Sequence, residues 1–103
     1  MEITEKFKES AQKMLKDGKV YFKALSISQL EDINPIMMEV SSGNIVVAKI
    51  TPLAQRSIED IKKAVDELCS FVENIGGEIA RLGDERIVIV PSTIKIWREK
   101  GNI

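Results

Sequence analysis

The chemistry available to this chain is limited first by what it lacks. Histidine is absent from its 103 residues, which removes the commonest general base and metal ligand. Cys69 is the single thiol. It falls inside a segment of helical periodicity with no basic activator predicted beside it, so it reads as a small packing residue rather than a nucleophile. One cysteine and no histidine give no zinc-ligand spacing. The acidic pairs Glu59-Asp60, Asp66-Glu67 and Asp84-Glu85 read as solvated faces of a helix or turn. Gly76-Gly77 and Gly83 do not form a phosphate-binding loop, because these glycines follow a helix instead of opening one. An enzyme is not expected from these residue types, nor is a cofactor or a metal.

Composition narrows the remaining classes. A chain of this length fits one domain, of a size that buries about two-thirds of the surface its unfolded form exposes. Self-association would add burial. Hydrophobic residues make up 44% and charged residues 30%, with a net charge of −1. Every basic run has acids close by, as with Lys62-Lys63 between Glu59-Asp60 and Asp66-Glu67, so no stripe exists to neutralise phosphates and nucleic acid is not an expected partner. Abundant Glu, Lys and Ile beside few Asn, Gln and Cys resemble hyperthermophile usage. The lone cysteine and the lack of a secretory signal point to a reducing cytoplasm. No apolar run approaches the roughly 20 residues of a membrane span.

The elements follow from periodicity and caps. Glu2 to Lys16 carries Ile3, Phe7, Ala11, Met14 and Leu15 at helical spacing, with Asp17-Gly18 as a stop. Its charged residues, Glu2, Glu5, Glu9, Asp17, Lys6, Lys8, Lys13 and Lys16, sum to zero. Membrane-surface helices are usually basic and bulkier on the apolar side, so a packing or partner helix is the preferred reading. Lys19 to Ile27 is expected as a first strand. A helix from about Gln29 to Ser42 is expected next, capped by Ser28 and starting late because of Pro35. Asn44 to Ile50 follows as a buried-type strand, and Thr51 to Ser57 as a loop. Ser57 with Asp60 approximates a capping box ahead of Ile58, Ile61, Ala64, Val65, Leu68, Val72 and Ile75, the clearest helical stripe in the chain. Gly76 is placed for a left-handed cap. Glu78–Leu82 and Arg86–Val90 form a hairpin. Thr93 to Trp97 could be an edge strand or a helical turn.

The expected fold is therefore α/β (α+β), a two-layer sandwich with a β-α-β-α-β-β core, preceded by the helix of residues 1–18. Residues 45–48 and 87–90 are continuously apolar, as in strands covered on both faces. Two crossover helices cover one face. The N-terminal helix or a second copy of the sheet could cover the other, and the size of the chain favours a homodimer through the sheet, with Val47, Ile87 and Ile89 in its interface.

The run IVVAKITPLAQRSIEDIKKAVDELCSFVENIGGEIARLGDERIVIVPS, residues 45–92, resembles the core domain of the SepF family of cell-division proteins. The features that match are the apolar strand, the Leu-containing loop, the Val65-Asp66 pair and the IGGxIxRLG segment leading to an apolar strand and Pro91. The core domain then occupies residues 19–103, best matched over 45–91. The resemblance implies a homodimeric cytokinesis adaptor, cytoplasmic and at the division site, that binds the C-terminal tail of FtsZ and links it to the inner face of the membrane, in some members with further oligomerisation. It places Arg81, with Gly83 and Ile87, in the FtsZ-peptide site. Arg81 matches a position where a basic residue contacts the tail. Ile87 matches one where an apolar residue lines the groove, although an apolar strand residue is core first.

Two departures from the family pattern stand out. Cys69-Ser70, on the candidate self-association helix, occupies the place of a mid-helix Ser-Gly pair at which helices approach closely; Ser is larger than Gly, which counts against helix-to-helix polymerisation here. The N-terminal segment lacks an evident membrane anchor, which is expected upstream of this chain; a weakly binding helix or no membrane contact are the other readings. The rival from another class is a dimeric ferredoxin-like domain that senses a small molecule at its dimer seam.

Overall fold

The computed structural model describes residues 18–97. The helix expected over Glu2–Lys16 lies outside them. Strand β1 (Phe22–Ser26) leads through a 3-10 turn (Leu30–Asp32) into helix α1 (Ile33–Ser41) and then strand β2 (Ile45–Lys49). Helices α2 (Thr51–Arg56) and α3 (Ile58–Ile75) precede the hairpin of β3 (Glu78–Leu82) and β4 (Arg86–Val90). Of the two readings left open for Thr93 to Trp97, the edge strand is not formed; the described residues after Pro91 begin with a single turn closed by the Ile94 N–H on Pro91 O and continue without helix or strand.

Local chemistry accounts for most of these boundaries. The Asp60 backbone N–H donates to Ser57 Oγ at 3.1 Å, capping α3 as its sequence leads one to expect. Gly76 ends α3 with a φ of 75°, a backbone region where a side chain is strained. The start of α1 differs from expectation. Ser28 does not cap it through its hydroxyl; the Asp32 carboxylate accepts from the backbone N–H groups of Ser28 at 2.9 Å and Gln29 at 3.2 Å. Pro35 is the third helical residue, where its missing N–H has no intrahelical partner to lose. The segment read as a loop is helix α2. Pro52 sits in its first turn, which tolerates proline. Leu53 fixes α2 in place, buried in the core with its N–H donating to Ile27 O at 2.9 Å.

The four strands form one sheet in the order β1-β2-β4-β3. β1 pairs with β2 in parallel, and β4 lies antiparallel to both β2 and β3. The first three strands therefore share a direction, and β4 is inserted between the second and third. All three helices lie on one face. Val46, Ala48, Ile87 and Ile89 on that face form a single cluster with Ile36, Val40, Leu53, Ala64, Leu68 and Val72. Among the described residues no polar or charged side chain is buried. Cys69 does not pack inside as expected: it is exposed, because the buried positions of α3 are Ile61, Ala64, Leu68 and Val72.

The strand pairing also corrects the expected dimer residues. Alternation puts Ile87 and Ile89 under the helices, 5% and 0% exposed, so neither can meet a partner sheet. Val47 faces the other way, paired with Val88. That open face is a grid of three rows. Phe22, Ile45, Val90 and Glu78 form the first, and Ala24, Val47, Val88 and Ala80 the second. Ser26, Lys49, Arg86 and Leu82 form the third.

Close packing of α3 against the hairpin depends on Gly77. A Cβ at that position would stand 2.3 Å from Val90 O, a backbone atom that cannot rotate away. Gly77→Ala is expected to lower the urea unfolding free energy by about 3 kcal/mol, the upper end of overpacking effects. Gly43→Ala, whose methyl meets nothing within 4 Å but whose φ is 96°, is expected to lose only about 1 kcal/mol.

Candidate functional site

Arg81 lies two residues beyond Ile79 on β3, and Ile87 is its cross-strand partner. It therefore emerges on the helix-covered side of the sheet, at the end where α2 begins. There the sheet, α2 and α3 leave a cleft of about 350 Å³. Ile50, Ala54, Ile61 and Val65 give it an apolar floor, with Thr51 beside them. Lys62 and Asp66 from α3, with Arg81 and Asp84 from the hairpin, supply its charged rim.

The hairpin turn holds the guanidinium of Arg81. Its Nε donates to Gly83 O at 3.1 Å and its Nη2 to Asp84 O at 3.3 Å. Both acceptors are neutral carbonyls, and among the described residues no carboxylate forms an ion pair with Arg81. The charge is thus oriented but not neutralised, and its remaining N–H groups can meet a carboxylate in a forked geometry. An apolar floor beside a fixed cation suits an extended or helical peptide with an apolar anchor and an acidic group.

A larger cleft of about 550 Å³ opens further along α3 and is lined by Asp66, Cys69, Ser70, Val72, Glu73, Gly77, Glu78 and Ile79. Its lining residues include Asp66 and Glu73 and no basic residue, and Glu78 already pairs with Lys95, so the cleft offers an acidic peptide no cation. The smaller cleft is the better candidate despite its size. Among the described residues no group of three or more acidic or cysteine side chains is arranged to hold a metal.

The sequence-derived site residues divide between two layers. Arg81 is at the cleft, and Gly83 contributes its carbonyl to holding it. Ile87 lies beneath Arg81 in the core and does not line the cleft. Cys69 and Ser70 are both exposed on α3. Sequence reasoning missed Ile50, Ala54, Lys62 and Val65 as cleft residues. Thr51-Pro52 was the available signal, since proline in a first turn begins helices as readily as it begins loops.

The SepF family model, described as cell division protein SepF, matches residues 23–96, which include every strand and helix described above except the first residue of β1. The chain belongs to the SepF family of cell-division proteins. Cell division protein SepF from Haloferax volcanii is 35% identical over 72 residues, covering 70% of this chain and 60% of that protein. This SepF-family chain thus spans about three-fifths of that relative's length. A SepF-like protein from Pyrococcus furiosus superposes with a TM-score of 0.71 at 32% identity, over 77% of this chain and 95% of that one. Cell division protein SepF from Methanobrevibacter smithii, solved in complex with FtsZ-CTD, shares the fold with a TM-score of 0.68 at 22% identity, over 77% and 100%.

A cleft residue and a core residue differ in what their removal does to folding. Arg81→Ala is expected to leave the unfolding free energy within about 0.5 kcal/mol of the parent, as for exposed positions. Ile87→Ala is expected to lower it by about 2–5 kcal/mol. Thermal and urea denaturation of the two variants side by side measures the contrast.

Proposed function

We propose that this SepF-family chain is a non-enzymatic cytoplasmic adaptor of the division site, binding the C-terminal peptide of FtsZ in the cleft beside Arg81 and dimerising through the open face of its sheet. The observation that carries the reading is the un-neutralised guanidinium of Arg81, held by Gly83 and Asp84 carbonyls over the apolar floor of Ile50, Ala54, Ile61 and Val65. An acidic peptide with an apolar residue nearby satisfies both parts at once. The complex of the Methanobrevibacter smithii SepF with FtsZ-CTD supports the choice of partner. The fold supports the mode, because a rigid sheet edge and two short helix turns leave the cleft open without rearrangement.

Dimerisation is assigned to Val47 and Val88 with Phe22 and Ile45, the apolar residues of the open rows. A second copy has the same rows to offer, and burying them removes apolar surface from water on both chains. No described helix is long and apolar enough to cross a membrane. On this reading the link between the FtsZ ring and the membrane is made outside residues 18–97. Cys69 and Ser70 are available for further helix-to-helix association of dimers.

Titration of the chain with a synthetic FtsZ C-terminal peptide, followed by calorimetry or fluorescence anisotropy, tests the reading. Saturable binding is expected, and Arg81→Ala should weaken it by about tenfold or more, the scale of a charge-assisted hydrogen bond. The difference should shrink as salt rises, since the cleft is open to solvent. An absence of binding at high micromolar peptide would sink the adaptor reading. An unchanged affinity in Arg81→Ala would move the site elsewhere. Light scattering should report a dimer that Val88→Glu returns to monomer.

A further inference from the structure

The segment after β4 turns back to the start of β3, where Glu78 stands. Ile94 N–H donates to Pro91 O at 3.1 Å, closing the turn. Glu78, at the end of the first row, then fastens the segment twice. Its Oε1 accepts from the Ile96 backbone N–H at 3.1 Å, and its Oε2 pairs with Lys95 Nζ at 3.8 Å. Val90, the cross-strand neighbour of Glu78, shows the consequence. It is only 2% exposed yet lies outside the helix-packed core cluster, so its cover is on the open face. Ile94 and Ile96 are half-buried and are absent from the helix-side cluster. The residue after this anchored stretch is Trp97, which is 83% exposed.

We propose that this strap, residues 92–97, is part of the self-association surface, and that Trp97 packs against a second copy of the chain. The inference rests on the open face being the dimer surface and adds a residue that the sheet alone does not supply. Charge indicates which end of the face is used. The third row carries Lys49 and Arg86 beside each other, and full overlap of two copies would bring these cations against their counterparts. The first two rows contain no cation, and the strap is bound to the first. Phe22, 71% exposed, and the exposed Tyr21 and Val20 stand at the same end. An exposed tryptophan directly after a held residue has the character of an interface anchor, since a large aromatic side chain contributes much contact area and the chain leading to it is already positioned. Glu78 is the positioning residue, acting on the partner only through the strap.

Trp97 is the single tryptophan of the chain, so its emission reports its own surroundings. The experiment takes the full chain from nanomolar to high micromolar concentration, following mass by light scattering and Trp97 by emission wavelength and acrylamide quenching. The two transitions are expected to coincide, with Trp97 shifting to the blue and becoming less quenchable as the dimer forms. Trp97→Ala should raise the dimer dissociation constant by about tenfold or more. Glu78→Ala should weaken it in the same direction with Trp97 still present. Val88→Glu should hold Trp97 in a water-like environment at every concentration. A dimer whose formation leaves Trp97 emission and quenching unchanged would overturn the role of the strap while leaving the sheet dimer standing. A monomer at all concentrations would overturn the sheet dimer and the strap together. A shielded Trp97 in a monomer would instead place residues 1–17 of the same chain on this face, and would equally overturn the proposal.

Discussion

The structure is governed by one-sided cover of a four-stranded sheet. Three helices pack on the face carrying Val46, Ala48, Ile87 and Ile89, and among the described residues no helix packs on the other. Every other feature follows from where that cover stops. At one end of the helix layer α2 begins, and the cleft opens there. On the face without described helices, alternation leaves a patch of valine, isoleucine and alanine side chains.

The insertion of β4 between β2 and β3 links these two surfaces. It brings the hairpin turn to the same end of the sheet as the start of α2, so that Arg81 stands across from Ala54 and Val65. Backbone carbonyls, rather than a carboxylate, hold the guanidinium. A carboxylate partner would have consumed the charge, and solvent alone would have left it mobile. Held by Gly83 and Asp84, Arg81 keeps its charge and loses part of its conformational freedom, which on the proposed reading would lower the entropy lost when a peptide binds. Lys62, Asp66 and Asp84 around it keep the cleft near neutrality, so recognition depends on position more than on bulk attraction.

The two surfaces lie on opposite sides of the sheet, which allows both to be occupied together. An adaptor that dimerises on one face and takes a peptide on the other presents two peptide sites per dimer. On the proposed reading, two weak contacts to a polymer with many identical tails would act as one stronger attachment. The single salt-bridged strap at Glu78 and the cationic row at Lys49 and Arg86 give the open face a direction. A featureless apolar sheet would permit many alignments; this one has an aromatic end and a charged end.

Much of this was legible in the sequence, and the limits have physical causes. The helix of residues 58–75 was readable because Ser57, Gly76 and an unbroken apolar stripe are local signals that agree. The hairpin was readable from its turn, and the absence of histidine spoke for itself. The apolar runs at 45–48 and 87–90 showed that strands were covered but not which residue faced which cover. Ile87 and Ile89 were therefore assigned to the wrong face, an error that only pairing register resolves, since one step along a strand reverses the side chain. Helix α2 was hidden because six residues are too few for periodicity and its stability comes from Leu53 in the core. The cleft floor was hidden for the same reason, being assembled from residues 50 to 84 that meet only in three dimensions. The sequence alone determined the residue types, the main helix and the family resemblance. The tertiary structure decided which side of the sheet each residue serves, because that depends on register and packing between distant segments.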